Sequence, residues 1–223
     1  MSFTKVALSV KKYELIIFDC DGTLVDSELL TNRVIAEMIR GYGLPMTTDK
    51  CMDLFAGKTI GHITDYIKAG GQDIDEDDFE TDYRKRCESV FRAELAPIPG
   101  VKDLVTSLQI DYCVASNGPK VKMDITLPSA GLQSLFEGRM YSAYDIQAWK
   151  PKPDLFLHVC EDRGIHPTKT LVIEDTWSGA MAAVNGGIDV WVYNAHMDTR
   201  TYIDGVPNFT QMQALHKSLE KHV

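Results

Sequence analysis

An apolar tetrapeptide, Leu15-Ile16-Ile17-Phe18, runs straight into Asp19-Cys20-Asp21-Gly22-Thr23-Leu24-Val25-Asp26-Ser27. A short apolar run that ends in turn chemistry reads as a buried β-strand. Two carboxylates spaced i, i+2 therefore stand where a strand gives way to a loop, and Gly22 lets the backbone turn sharply there. Open α/β sheets gather their ligands outside the carboxyl ends of strands. Acids at that edge can hold a hard cation, and one can attack an electrophile. Asp-Gly by itself is ordinary turn chemistry, so the rest of the chain decides.

After Ser27 the pattern turns helical and stays so. Leu29, Leu30, Ile35, Met38 and Ile39 return near one face, further helical stretches run around Ile60 to Ile67 and from Phe79 to Leu95, and nothing between residues 28 and 95 reads as a strand. Pro97 and Pro99-Gly100 close this block. Beyond them, strands at 112–115, 140–142, 170–173 and 189–193 alternate with helices at 101–108, 120–127, 153–163 and 178–184. Alternation of that kind implies a parallel sheet with helices on both faces. The expected fold is α/β, a Rossmann-like core made of residues 1–26 and 97–223 with an all-helical domain, 27–96, inserted after the first strand.

Composition narrows the partners. The formal charge of −9 does not favour nucleic acid or an anionic membrane. The apolar stretch Val6–Val10 is too short for a signal segment or a membrane span. Five scattered cysteines, with no CxxC pair, fit reduced thiols. A cytoplasmic, monomeric chain is expected. Cys20 is read as a small buried filler, since strand alternation points it away from Asp19 and Asp21.

Three polar clusters follow apolar strands: Asp19/Asp21, Ser116/Asn117 and Glu174/Asp175. In a parallel sheet these ends share one edge. Trp149-Lys150-Pro151-Lys152-Pro153 adds a lysine held between prolines. Each piece alone has a bland reading: a turn, a surface lysine, a helix cap. Together they form a coherent set. Several carboxylates at one spot need a cation, and oxygen ligands without His or Cys suit Mg²⁺. A serine hydroxyl, backbone N–H groups and a lysine suit a phosphate.

With all four pieces in order, the chain resembles the haloacid dehalogenase-like hydrolases, in their phosphatase and β-phosphoglucomutase branch. The first motif of that family, Asp-x-Asp-Gly-Thr-Leu-x-Asp-Ser, is matched in full by Asp19 to Ser27. Ser116 matches the second, Lys150 the third, and Glu174-Asp175-Thr176-Trp177-Ser178-Gly179 the fourth, with Thr176 in place of the commoner Ser. The resemblance spans residues 13 to about 195. It implies a Mg²⁺-dependent phosphatase acting on a small phosphorylated metabolite. Asp19 would be the nucleophile and Asp21 the general acid and base. Asp19, the Asp21 carbonyl, Asp175 and Glu174 would hold the metal, the last directly or through water. Thr23, Ser116 and Asn117 would touch the phosphoryl group, and Lys150 would neutralise charge. Presence of Asp21 argues for phosphoryl transfer over carbon–halogen cleavage.

The inserted helical block corresponds to the family's cap. Phe55-Ala56-Gly57-Lys58-Thr59 resembles its specificity loop, where Lys58 either reaches a carboxylate or hydroxyl of a sugar phosphate or sugar acid, or is simply solvated. Other readings share the core: a phosphosugar mutase, for which the Lys58-Thr59 loop lacks an arginine; a phosphonoacetaldehyde hydrolase using Lys58; and a non-catalytic phosphometabolite-binding protein. Trp177, near the expected metal-binding loop, has two readings, narrowing the entrance or packing between helices, and the second is the expectation. His62, His158, His166 and His196 show no ligand spacing.

Overall fold

The structure, a computed structural model, describes residues 11–55, 58–195 and 197–223. The Val6–Val10 stretch and His196 lie outside the described residues. In chain order the elements are β1 (Leu15–Phe18), α1 (Glu28–Gly41), α2 (Thr48–Phe55), α3 (Ile60–Ala69), α4 (Glu76–Glu94), α5 (Val101–Ser107), β2 (Asp111–Ser116) and α6 (Lys120–Ser129). They continue with α7 (Gln133–Phe136), β3 (Met140–Ser142), α8 (Ala143–Ile146), α9 (Asp154–Arg163), β4 (Thr170–Glu174), α10 (Trp177–Asn185), β5 (Asp189–Tyr193), β6 (Asn208–Phe209) and α11 (Met212–Leu219).

The chain divides into two compact units. One contains the residues up to Leu24, Ile98–Met123 and Ser134–Val223; the other contains Val25–Pro97 and Asp124–Gln133.

The first unit is built on a six-stranded sheet in the order β3-β2-β1-β4-β5-β6, and every neighbouring pair is parallel. β1 sits between β2 and β4, which explains its uninterrupted apolar sequence: all four residues are fully buried. Leu15 and Ile17 face one side, where Cys113, Ala115, Val172 and Val190 meet Leu155, Phe156 and Val159 of α9 and Ala180, Ala182 and Ala183 of α10. On the other side Phe18 meets Phe136 edge to face at 6.2 Å. β6 and α11 extend this unit beyond the elements expected from sequence.

The register determines the site. Phe18 is level with Val114 on β2 and Ile173 on β4, and Ser116 is level with Ser142 on β3. One step past Phe18, the chain reaches Asp19 at the height where β4 reaches Glu174. The polar strand ends therefore meet along one edge of the sheet.

The second unit is helical. Val34, Met38, Ile39, Ile63, Ile67, Phe79 and Phe91 are among its buried apolar residues, with Phe55 and Tyr66 packed edge to face at 5.6 Å. α4 starts three residues earlier than Phe79, because Asp75 accepts from the N–H groups of Asp77 and Asp78, each at 3.0 Å, and caps it. At the ends of Val25–Pro97 these two residues form an antiparallel bridge, and Asp26 N–H donates to Ala96 C=O at 3.2 Å. No helix among the described residues is long and apolar enough to cross a membrane.

Candidate active site

Asp19 leaves the end of β1 with its N–H still donating to Ile173 C=O at 2.9 Å, so its backbone is part of the sheet and its direction is fixed. Its carboxylate is buried, and Oδ1 accepts from Lys150 Nζ. Lys150 comes from the far side of the sheet, after β3. Its ammonium also donates to Glu174 Oε1 at 2.8 Å and Ala115 C=O at 2.9 Å, and lies 5.0 Å from the Phe156 ring centre. Burial alone would lower the Lys150 pKa, but Asp19 and Glu174 outweigh it and the net shift is upward. This lysine stays charged.

Asp19 behaves in the opposite sense. Burial pushes its carboxyl up, Lys150 pulls it back, and the charges of Glu174 and Asp21 add to the rise, leaving it at about 7. Asp175 is also raised well above the ordinary carboxylate range, by burial and then by the charges of Glu174 and Asp19. In both acids burial is the first cause of the rise, so their charged forms are disfavoured unless a cation offsets them.

Glu174 is fully engaged. Oε1 takes Lys150, while Oε2 accepts from Asp175 N–H at 3.0 Å, Thr176 N–H at 2.8 Å and Thr176 Oγ1 at 2.8 Å. Thr176 Oγ1 in turn accepts from Gly179 N–H at 3.1 Å and caps α10. A β-carbon at Gly179 would fall 1.7 Å from Glu174 Oε1, so only glycine fits there. Gly22 has the same function for the other acid. Its φ is +79°, and a β-carbon would fall 2.1 Å from Asp175 Oδ2.

The remaining sequence candidates have defined places. Thr23 is fully buried and its hydroxyl lies 3.3 Å from Asp175 Oδ1. Ser116 Oγ accepts from Gly118 N–H at 3.0 Å, leaving its own hydrogen to donate. Asn117 holds the Lys150 loop: Oδ1 accepts from Lys150 N–H at 2.9 Å, and Nδ2 donates to Lys150 C=O at 3.5 Å. Asp21 lies past β1, and its Oδ2 accepts from Lys122 Nζ at 2.8 Å. Cys20 is buried. Lys58 belongs to the helical unit, between α2 and α3, where it is exposed.

Two features differ from the sequence expectation. Trp177 does not pack between helices: it is 48% exposed at the first turn of α10. Its neighbour Thr176 takes the cap position, and the helix turns the indole outward. Lys122 was not anticipated. It lies six residues beyond Ser116 in the first turn of α6, and only the fold brings it to Asp21.

The donor set fits a hard divalent cation in charge and in chemistry. Four carboxyl groups, Asp19, Asp21, Glu174 and Asp175, stand with two ammonium groups, Lys122 paired with Asp21 and Lys150 with Asp19 and Glu174, and burial raises Asp19 and Asp175, which favours their protonated forms unless a cation offsets the charge. All donors are oxygens. Lys150 bridges Asp19 and Glu174, and among the described residues no three His, Cys, Asp or Glu side chains converge as a finished metal cage.

A parallel six-stranded sheet with a buried Asp–Lys pair at its strand ends and a second acid two residues on is the architecture of Rossmann-like α/β enzymes. The family profile of haloacid dehalogenase-like hydrolases matches residues 16–193, and the chain belongs to that family. Among its relatives, the 6-phosphogluconate phosphatase of Escherichia coli (strain K12) is 28% identical over 208 residues, covering 92% of this chain and 94% of that one. A haloacid dehalogenase-like protein of Agrobacterium tumefaciens superimposes with a TM-score of 0.78 at 28% identity, covering 93% of this chain and 98% of that one. A putative β-phosphoglucomutase of Thermotoga maritima has the same fold, with a TM-score of 0.81 at 24% identity over 94% of this chain and 100% of that one. Within the family the chain is an enzyme of the phosphatase group.

Proposed function

We propose that this protein is a Mg²⁺-dependent phosphatase that hydrolyses a small phosphorylated metabolite, a sugar phosphate or phosphorylated sugar acid, through an aspartyl-phosphate on Asp19. The observation that carries this reading is the pairing of buried Asp19 with buried Lys150 at a sheet edge lined with carboxyl groups. The 6-phosphogluconate phosphatase among its relatives supports the substrate class.

Each residue then has a task. Asp19 Oδ attacks phosphorus, displacing the leaving alcohol, while Lys150 offsets charge on the phosphoryl oxygens and holds the nucleophile. Asp21 gives its proton to the leaving oxygen and later takes one from the water that releases phosphate. Ser116 donates to a phosphoryl oxygen. Asn117 keeps Lys150 in place, and Thr23 steadies Asp175. Asp19, the Asp21 carbonyl and Asp175 would hold Mg²⁺, with Glu174 assigned to Lys150 and to its own loop. When bound, Mg²⁺ supplies the positive charge that lets a dianionic phosphate approach this acidic edge.

The helical unit is assigned as a cap, with Lys58 as its contact to the leaving group. All five cysteines are buried thiols, in keeping with a reducing, cytoplasmic setting. A monomer is proposed.

Phosphate release from a panel of sugar phosphates and phosphorylated sugar acids, with Mg²⁺ and with EDTA, tests the reading. Metal-dependent release from one or a few compounds is expected. No release from any of them, nor from an aryl phosphate, overturns it. Interconversion of phosphosugar isomers without net phosphate release would move the assignment to a mutase.

A further inference from the structure

We infer that Lys122 is a positioning residue for Asp21, fixing the carboxylate that serves as acid and base. This rests on the phosphatase reading and adds a residue to it.

The ion pair joins positions 101 residues apart, one on the loop after β1 and the other in the first turn of α6. Lys122 is anchored along its length. Its N–H donates to Pro119 C=O at 2.9 Å. Its stem crosses the Ser116-Asn117-Gly118 turn, where Cδ lies 3.4 Å from the point a β-carbon on Gly118 would occupy. That turn is itself secured: Gly118 N–H donates to Ser116 Oγ at 3.0 Å, and Gly118 C=O accepts from Ser142 Oγ at 2.7 Å. The two side chains of the pair are about equally accessible, at 31% and 30%. The ammonium therefore reaches Asp21 from a fixed base, and that base also carries the phosphate-binding serine.

The reaction needs this. As Asp19 forms its bond to phosphorus, the bond from phosphorus to the leaving oxygen breaks. The electron pair on that oxygen takes the Asp21 proton, and the alcohol leaves neutral. Water then attacks phosphorus, gives a proton to Asp21, and the Asp19–phosphorus bond breaks. Both transfers require the carboxyl within hydrogen-bond reach of its target. Holding Oδ2 on Lys122 sets the plane of the carboxylate and hence the direction of the other oxygen.

Leaving-group dependence separates this role from general support of the fold. Aryl oxides of low basicity leave without a proton, whereas poorer leaving groups need Asp21. The probes are aryl phosphates graded from p-nitrophenyl phosphate to phenyl phosphate. In K122M, kcat/KM for phenyl phosphate should fall roughly 100-fold and for p-nitrophenyl phosphate less than about tenfold, the span expected for a displaced general acid. Inhibition by inorganic phosphate should be unchanged, and K122R should recover much of the loss on phenyl phosphate. Should K122M fail to fold, K122Q carries the same comparison. Equal losses across the series overturn the inference. So does a flat series with weakened phosphate inhibition, which would place Lys122 on the phosphate itself. D21N is the control: if it keeps activity on phenyl phosphate, the role given to Asp21 fails, and with it the reading beneath.

Discussion

On α4 of the helical unit, Arg84, Arg86 and Arg92 follow Glu80, Asp82 and Glu88 by four residues, and all six side chains keep between 40% and 58% of their exposure. At the sheet edge, Lys150 meets Asp19 and Glu174 with side-chain exposures of 3%, 10% and 1%. Both places pair a basic side chain with carboxylates, guanidinium groups on α4 and an ammonium at the sheet edge. Water competes with the first set and screens it, so each pair adds little to stability. The second set has lost its water, and its charges act on one another through protein. There the lysine is raised above its ordinary value despite burial, and Asp19 is raised to about 7. Sequence spacing accounts for the helix pairs, whereas the meeting of two strand ends with the loop that carries Lys150 accounts for the other. Burial decides which set can do chemistry.

The comparison can be broken most directly at Asp19. Asp19→Asn should reduce kcat by at least about four orders of magnitude, as removal of a nucleophile does, with an unchanged circular dichroism spectrum. Retained activity would show that the buried pair is structural.

Lys150→Met should lower kcat by about 10²–10³. It should also destabilise the protein by about 3–5 kcal/mol, because two buried carboxylates lose their partner. Denaturant titration measures this loss; a value as small as that of a surface pair would erase the distinction.

Gly179→Ala forces a carbon into the position of the Glu174 carboxylate, and overpacking of this kind costs about 1–3 kcal/mol. Thermal melting and phosphate release should both register it. Unchanged values would mean that Glu174 moves aside freely.

pH sharpens the contrast. Asp19 and Asp175 are raised in the folded state, so the folded chain binds more protons than the unfolded one between about pH 4 and 7, and stability falls as pH rises through that window. In EDTA, the melting temperature should drop by a few degrees from about pH 5 to pH 7.5. Mg²⁺ should restore it at neutral pH, and Asp19→Asn should flatten the slope. A melting temperature that instead rises across this window in EDTA would contradict the assignment.

Arg84→Ala, Arg86→Ala and Arg92→Ala set the other end of the scale. Each should change stability by no more than about 0.5 kcal/mol and leave turnover unaltered.

Much of the molecule was legible in sequence because its signals are local. A fully apolar β1, strands alternating with helices, and acids placed just past apolar runs need no tertiary knowledge to interpret. The less legible parts depend on distant contacts. Lys122 sits in a lysine-rich helix start with nothing to mark it, and its partner is 101 residues away. Asn117, expected at the phosphate, also ties the Lys150 backbone, a contact 33 residues away in sequence that no local pattern marks. β6 has only two residues, too few to show a period. Asp124–Gln133 groups with the helical unit although it follows directly on α/β sequence, and no break in composition marks the change. Trp177 has an apolar ring that suggested burial, but a cap one residue earlier fixed its outward direction.

The close approach at Gly22 and Gly179 has a consequence for descent. A copy of this gene could keep all four acids and both lysines and still lose its chemistry by gaining one methyl group at either position. Inventories of polar residues would score such a copy as intact. The two glycines, silent in any list of reactive groups, therefore belong beside the acids as markers of a working member.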